Sequence, residues 1–278
     1  MDYQELSKII KMYPDQDKVE IKGQVFDGVL NNTEFDLIQW LYLVLHVGNP
    51  EIANLSSYDD SQDLTEKIIG KSNYKTQQYC EILDDITVSI NGVKVKASPK
   101  DKKITLPCYR PNLSRGFCMF IKGNNSVNCR YYISFNDSET AIEFWKNTID
   151  KLMNSDYEFS AKILSNSAQY PRNDAVVFYL NHKDKRFEDF LISQTKQYHF
   201  LQNKELFPVL CKKINEQIYY AEQPLESTES FGENRCKAIA RAIKDYFTTG
   251  INFSSLLKKR FESFEIDPNR VYRNEVKK

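Results

Sequence analysis

Glycine is scarce in this sequence, 9 in 278 residues, and neither G-x-x-x-x-G-K nor G-x-G-x-x-G occurs. The backbone loops that cradle nucleotide phosphates therefore have nothing to form from. G-x-S-x-G and H-E-x-x-H are also missing, which removes the hydrolase nucleophile elbow and the zinc-protease helix. There is no charge of one sign: 38 Lys and Arg balance 38 Asp and Glu. Nucleic-acid binding draws most of its energy from neutralised phosphates, so no nucleic-acid partner is expected. Cys80, Cys108, Cys118, Cys129, Cys211 and Cys236 are scattered without a C-x-x-C pair, and His46, His182 and His199 show no ligand spacing. That pattern reads as reduced core cysteines, with no metal and no cofactor expected. The longest apolar run, Leu41 to Val47, is far short of the ~20 residues that cross a bilayer. The polar start Met1-Asp2-Tyr3-Gln4-Glu5 is no secretory signal, so no membrane partner and a cytoplasmic location are expected.

What is present is material for a sizeable core. Hydrophobic residues make up 41% of the chain against 27% charged, with 17 Tyr and 17 Phe, a mixture that excludes intrinsic disorder and suits sheet packing. Phe26, Leu30, Phe35, Leu37, Ile38, Leu41, Leu45 and Val47 recur near helical spacing, with Asn32-Thr33-Glu34 as a start and Gly48-Asn49-Pro50 as a stop. The period then changes. Ile86, Val88 and Ile90, then Asn91-Gly92, then Val93 and Val95 predict a hairpin. Further strands are predicted over Gly116 to Ile121, Arg130 to Phe135, Phe159 to Leu164 and Val176 to Leu180. Helices are predicted after Asp137, from Ser227–Ser230 to Gly250, and over roughly Phe253 to Phe264. Strands and helices mixed without a βαβ rhythm give an α+β fold, with a helical N-terminal region over 1–83 and a mixed, mainly antiparallel sheet flanked by helices over 84–278.

The informative residues are cations in strand-like or cap-like positions. Arg130 opens an apolar strand. Lys162 shares a face with Ser160 and Leu164, while Phe159, Ala161 and Ile163 take the other. A buried lysine loses proton affinity and becomes a general base, whereas an edge-strand lysine only meets water. Arg172 offers a planar fork for a phosphate or carboxylate, or pairs with Asp174 or Asp184 as surface structure. His182 stands just past a strand end, as an acid or as an ordinary turn histidine. Ser230 begins a helix whose N-terminus favours an anion, with Arg235 one turn in, or the two form an ordinary cap and a surface ion pair.

The ordered series Arg130-Tyr131-Tyr132, Lys162, Tyr170-x-Arg172-x-Asp174, Tyr179, Ala221-Glu222-x-Pro224 and Ser230-Phe231-Gly232-x-x-Arg235 resembles the Hop A family of type III secreted effectors. That family also includes lyase components of class V lanthipeptide and thioamitide biosynthesis. The resemblance runs from about Pro107 to Thr249, and Glu222 to Ala240 is its most persuasive part. It implies a phospholyase domain over 84–278 that expels phosphate from phosphoserine or phosphothreonine in a peptide or protein, leaving a dehydroamino acid. A separate kinase partner would supply the phosphate. By position it implies Lys162 as base and Arg130, Arg172, Arg235 and Ser230 as phosphate ligands. Better-known phosphothreonine lyases place a lysine and a histidine on one strand. No K-x-H occurs here, so the acid is unassigned among Tyr132, Tyr179 and His182. The resemblance also admits secretion as an effector, and a non-catalytic effector or scaffold with the same fold is the alternative reading. An activity on a phosphorylated small molecule is a third.

Overall fold

The computed structural model describes residues 1–54, 62–90, 93–97, 102–124, 126–198, 207–225 and 229–275. Helix α1 (Tyr3–Ile9) leads into a three-stranded antiparallel sheet of β1 (Ile10–Tyr13), β2 (Lys18–Ile21) and β3 (Gln24–Asp27). Helix α2 (Glu34–Tyr42) is capped by Thr33 and runs on into a π-helical turn, Leu43–Val47. After α3 (Thr65–Ile69) come β4 (Lys75–Tyr79), the meander β5 (Glu81–Asp84), β6 (Thr87–Ile90) and β7 (Val93–Lys96), and then β8 (Lys103–Pro107), which pairs with β4. The hairpin arms expected around Asn91-Gly92 are β6 and β7; the two turn residues lie outside the described residues.

The main sheet is antiparallel throughout. It consists of β9 (Tyr109–Ser114), β10 (Phe117–Lys122), β11 (Cys129–Phe135), β12 (Phe159–Leu164), β13 (Arg172–Leu180), β14 (Lys212–Lys213) and β15 (Ile218–Glu222), in the order β14-β15-β11-β13-β12-β10-β9. Between its strands the chain forms α4 (Ser138–Met153) and α5 (Lys185–Thr195), and it ends in α6 (Phe231–Thr249) and α7 (Phe253–Ser263). Alternation along the central strands splits the interior in two. Tyr131, Ile133, Phe178, Ala161 and Ile163 face α4 and α5, while Tyr132, Val177, Tyr179 and Ala221 face α1, α2, α6 and α7. The fold is α+β, as expected.

The first 83 residues are not simply helical, which corrects the sequence reading. Ile10, Val19 and Ile21 are buried while their strand neighbours are not, a period of two that the longer helical run over 26–47 obscured. Lys22 and Gly23 both have positive φ, 51° and 78°. That is the requirement of a two-residue type I′ turn, and they join β2 to β3. These N-terminal elements also share one core with α6 and α7, since Leu6, Val19, Leu37 and Leu41 pack in the cluster that holds Phe231, Ile239, Ile243 and Leu257. Helix α5 was not anticipated either. Its first turn, Lys185-Arg186-Phe187-Glu188, follows an Asp184 cap that accepts from the Arg186 and Phe187 N–H groups.

The six cysteines are unpaired and buried. Among the described residues no helix is long and apolar enough to cross a membrane, and no three His, Cys, Asp or Glu side chains group as metal ligands would.

Candidate functional site

Register places the site. Lys162 on β12 stands opposite Val177 on β13, which stands opposite Tyr132 on β11. One residue pair along, Ser160, Tyr179, Arg130 and Ala221 form a parallel row. Directly opposed residues share a face, so Lys162, Tyr132, Tyr179 and Arg130 all point toward α2 and α6. Arg130 and Lys162 are two strands apart and one pair offset, roughly 12 Å between backbones, within joint reach of their long side chains.

Lys162 is half-buried on an interior strand, not an edge strand, because β12 lies between β13 and β10. Its Nζ sits 3.7 Å from the centre of the Phe117 ring. Among the described residues no hydrogen bond or ion pair to that nitrogen occurs. Arg172 approaches the same ring, its guanidinium carbon 5.4 Å from the centre. Phe117 thus brings Lys162 and Arg172 together, a role the sequence did not reveal.

Arg172 resolves the choice between Asp174 and Asp184. It donates from Nε and Nη2 to the two Asp174 oxygens at 2.8 and 2.9 Å, and from Nη1 to Gln169 Oε1 at 2.9 Å. Both side chains of the pair are buried, 8% and 2% exposed. Burial alone would raise the Asp174 carboxyl, but the Arg172 charge and paired hydrogen bonds hold it well below the usual carboxylate range. Arg130, also buried, donates to Gln223 Oε1 from Nε at 2.7 Å and again from Nη2, and its guanidinium lies 5.1 Å from the Tyr179 ring centre. The Tyr132 phenol is buried, and among the described residues its oxygen makes no hydrogen bond of acceptable geometry. Burial raises its pKa, with the Arg130 charge opposing.

Two nominated residues serve the scaffold instead. Arg235 is fully buried and clamps the C-terminal segment, donating to the carbonyls of Val271 (3.1 Å) and Arg273 (3.0 Å) and to the side chains of Asn234 (2.8 Å) and Asn274 (2.9 Å). Burial brings its pKa down to about 10. Ser230 caps α6, accepting from the Glu233 N–H while Glu233 accepts from the Ser230 N–H. His182 is exposed and lines a separate cleft of ≈ 500 Å³ with Asn124, Tyr157, Glu158 and Asp184. The fold does not bring it to Lys162.

A histidine that the sequence reading did not nominate, His46, packs against Tyr132 on this face of the sheet. It sits in the π turn, 2% exposed, with its ring 4.9 Å from Tyr132, 5.0 Å from Tyr42 and 6.0 Å from Phe231. Its carbonyl accepts from Asn173 Nδ2 at 3.3 Å, and Tyr42 donates to Asp174 Oδ2 at 3.5 Å. Burial pushes the imidazole down to about 4; Arg172, Arg130 and Lys162 push the same way and Asp174 opposes. The signal in the sequence was a histidine inside the apolar run Leu41 to Val47.

Two expected outcomes arise from this packing. A Cβ on Gly232 would stand 2.5 Å from Tyr42 Cε2 and 2.7 Å from His46 Cδ2, so glycine is required here for close approach. Gly232→Ala should cost about 1–3 kcal/mol by overpacking, read as a lowered thermal midpoint. The second concerns acid. The folded-state pKa of His46, about 4, lies below the ordinary imidazole value of 6.5, so the folded state binds fewer protons than the unfolded state between these values. The stabilisation is present above pH 6.5 and is lost as pH falls toward 4, on the order of 3 kcal/mol. His46→Phe should flatten that part of the curve of stability against pH in denaturant titrations.

The fold and the site together define an antiparallel α+β protein whose sheet carries buried and half-buried cations under a helical cover. The chain belongs to the HopA1 effector protein family, which it matches over residues 108–273. Two solved structures are similar to it. An effector protein from Pseudomonas syringae pv. syringae strain 61 is 12% identical, with 87% of this chain and 98% of that one covered and a TM-score of 0.48. One from Pseudomonas syringae pv. tomato strain DC3000 is 15% identical, with 87% and 82% covered and a TM-score of 0.44. No curated protein matches the sequence.

Proposed function

We propose that this protein is a phosphoserine or phosphothreonine lyase acting on a peptide or protein that a separate kinase has phosphorylated. One observation carries the reading. Lys162 and Arg172 meet at the Phe117 ring, Arg130 lies on the same face of the sheet within reach of Lys162, and Asp174, paired to Arg172, is the carboxylate beside them. A site with more cations than anions, partly desolvated, favours a ligand that brings its own negative charge, and a phosphate monoester does. Arg130, held by the neutral Gln223 side chain, keeps N–H donors for that ligand. Lys162 is the base, taking the Cα proton while the Cβ–O bond breaks and phosphate departs with the bonding pair. Arg130 and Arg172 stabilise charge growing on the leaving group. Tyr132 and Tyr179 line the same face, and Tyr132 stands as a hydrogen-bond donor to the phosphate. The site residues call for no cofactor in this chemistry.

The test is mass spectrometry of phosphothreonine and phosphoserine peptides incubated with the protein. Elimination removes phosphoric acid, about 98 Da, and leaves an alkene, whereas hydrolysis removes about 80 Da. Intact peptides across a panel that includes the protein's own phosphorylated partner would reject the lyase reading. A second reading, a non-catalytic effector or scaffold, draws on the internal engagement of Arg172 by Asp174 and of Arg235 by the C-terminal segment. It predicts partner capture that survives Lys162→Ala.

A further inference from the structure

His46 Nδ1 is buried and, among the described residues, has no hydrogen-bond partner. An unmet polar atom in an interior is costly, so it needs an explanation, and its surroundings supply one. Its ring packs against Tyr42 from α2, Tyr132 from β11 and Phe231 from α6, and the charges of Arg130 on β11, Lys162 on β12, and Arg172 and Asp174 on β13 act on it across the same face, while Glu233 of α6 acts on Tyr42. Gly232 gives the ring room, because any side chain there would overlap it. The π turn that carries His46 is itself a departure from regular helix of the kind found at functional sites. A ring packed by Tyr42, Tyr132 and Phe231, with one nitrogen left unmet and cations carried on the same face of the sheet, is built to be completed by a ligand.

We infer that His46 Nδ1 shares a proton with the phosphate group of the bound ligand and, on the lyase reading above, delivers it to the departing phosphate. In the free site His46 is neutral, because burial and the nearby cations disfavour a further positive charge. A phosphate dianion cancels that field and favours the imidazolium, so binding draws in one proton. In the elimination the Lys162 amine accepts the Cα proton, and the C–H electron pair becomes the second bond between Cα and Cβ. The Cβ–O pair leaves on phosphate, which takes the His46 proton and departs as HPO₄²⁻. Lys162 then returns its proton to water, and His46 is recharged when the next dianion binds. His46 is thus a catalytic residue contributed by a segment outside the family match, which begins at residue 108.

The test uses the whole protein with inorganic phosphate as probe. Imidazole ¹⁵N spectra of the wild type should show the His46 signal moving toward the imidazolium as phosphate is added at pH 7. Calorimetry in buffers of differing ionisation enthalpy should report uptake of about one proton per phosphate bound. His46→Phe keeps a ring against Tyr42 and Tyr132 and should bind phosphate about 10-fold more weakly, without proton uptake. On a phosphopeptide it should lower kcat by 10²-fold or more and remove the ionisation that this group contributes to the pH profile. His46→Gln, if the Phe variant does not fold, should restore binding in part but not the proton uptake. A His46 signal unmoved by saturating phosphate, or a wild type that binds no phosphate, overturns the inference. If phosphate moves His46 and no peptide is eliminated, the proton-sharing site stands and the lyase reading falls. If peptides are eliminated and His46→Phe keeps the wild-type kcat and pH profile, the lyase reading stands and His46 has no part in it.

Discussion

Asp174→Ala should lower stability by about 3–5 kcal/mol, because it leaves the Arg172 guanidinium buried without its counter-charge. The pair is bidentate, at 2.8 and 2.9 Å, and its side chains are 8% and 2% exposed. For a chain of this size the loss corresponds to a fall in the thermal midpoint of roughly 6–20 °C. The double variant Arg172→Met with Asp174→Leu should recover much of it, since two apolar side chains leave no uncompensated charge. Anions provide a sharper check. With the carboxylate gone, inorganic phosphate should raise the midpoint of Asp174→Ala by more than it raises that of the wild type, because the anion takes the place of Asp174. Equal shifts in the two proteins would mean that Arg172 is not open to a ligand and is purely structural.

Lys162→Ala should reduce elimination by about 10²–10⁴-fold, the range typical of a lost general base, while leaving the fold intact. The structure gives reason for that separation of effects. The Lys162 amine contacts the Phe117 ring, and among the described residues it has neither a hydrogen bond nor an ion pair, so its removal leaves no partner unmet. Lys162→Arg keeps the charge and the ring contact but not an amine that gives up its proton. It should bind phosphate about as well as the wild type and turn over as poorly as the alanine variant. Deuterium at Cα of the phosphothreonine should slow the wild type if proton removal limits the rate. Full activity in Lys162→Arg would assign the base elsewhere on the sheet.

Some of the site was legible before the fold was known. Alternation over Phe159 to Leu164 set Lys162 apart from Ala161 and Ile163, and that division holds, since those two pack under α4 and α5. The strand bearing Arg130 and the helix from Ser230 to Gly250 stood in the pattern and its caps, and both are where the sequence placed them. His182 shows the opposite. It follows β13 in sequence, yet it extends past the far end of the strand into another cleft, because strand geometry carries a side chain about 3.3 Å further along with each residue.

Local patterning therefore determined what depends on neighbours in the chain: the periods of β10 to β13, the caps Thr33, Asp137 and Ser230, and the face on which Lys162 lies. These follow from side-chain alternation and from terminal N–H groups that must find acceptors, which are interactions within a few residues. Tertiary structure alone decided the rest. The strand order made β12 interior, so Lys162 is half-buried instead of on an edge. The register brought Arg130 within reach of it, and the packing of α2 on α6 carried His46, far away in sequence, over the same row of side chains. Arg172 and Arg235 read alike in the sequence as anion ligands. Arg172 took Asp174, a partner two residues away that the sequence had offered, whereas long-range contacts closed Arg235 around the C-terminal backbone, which no spacing along the chain encodes.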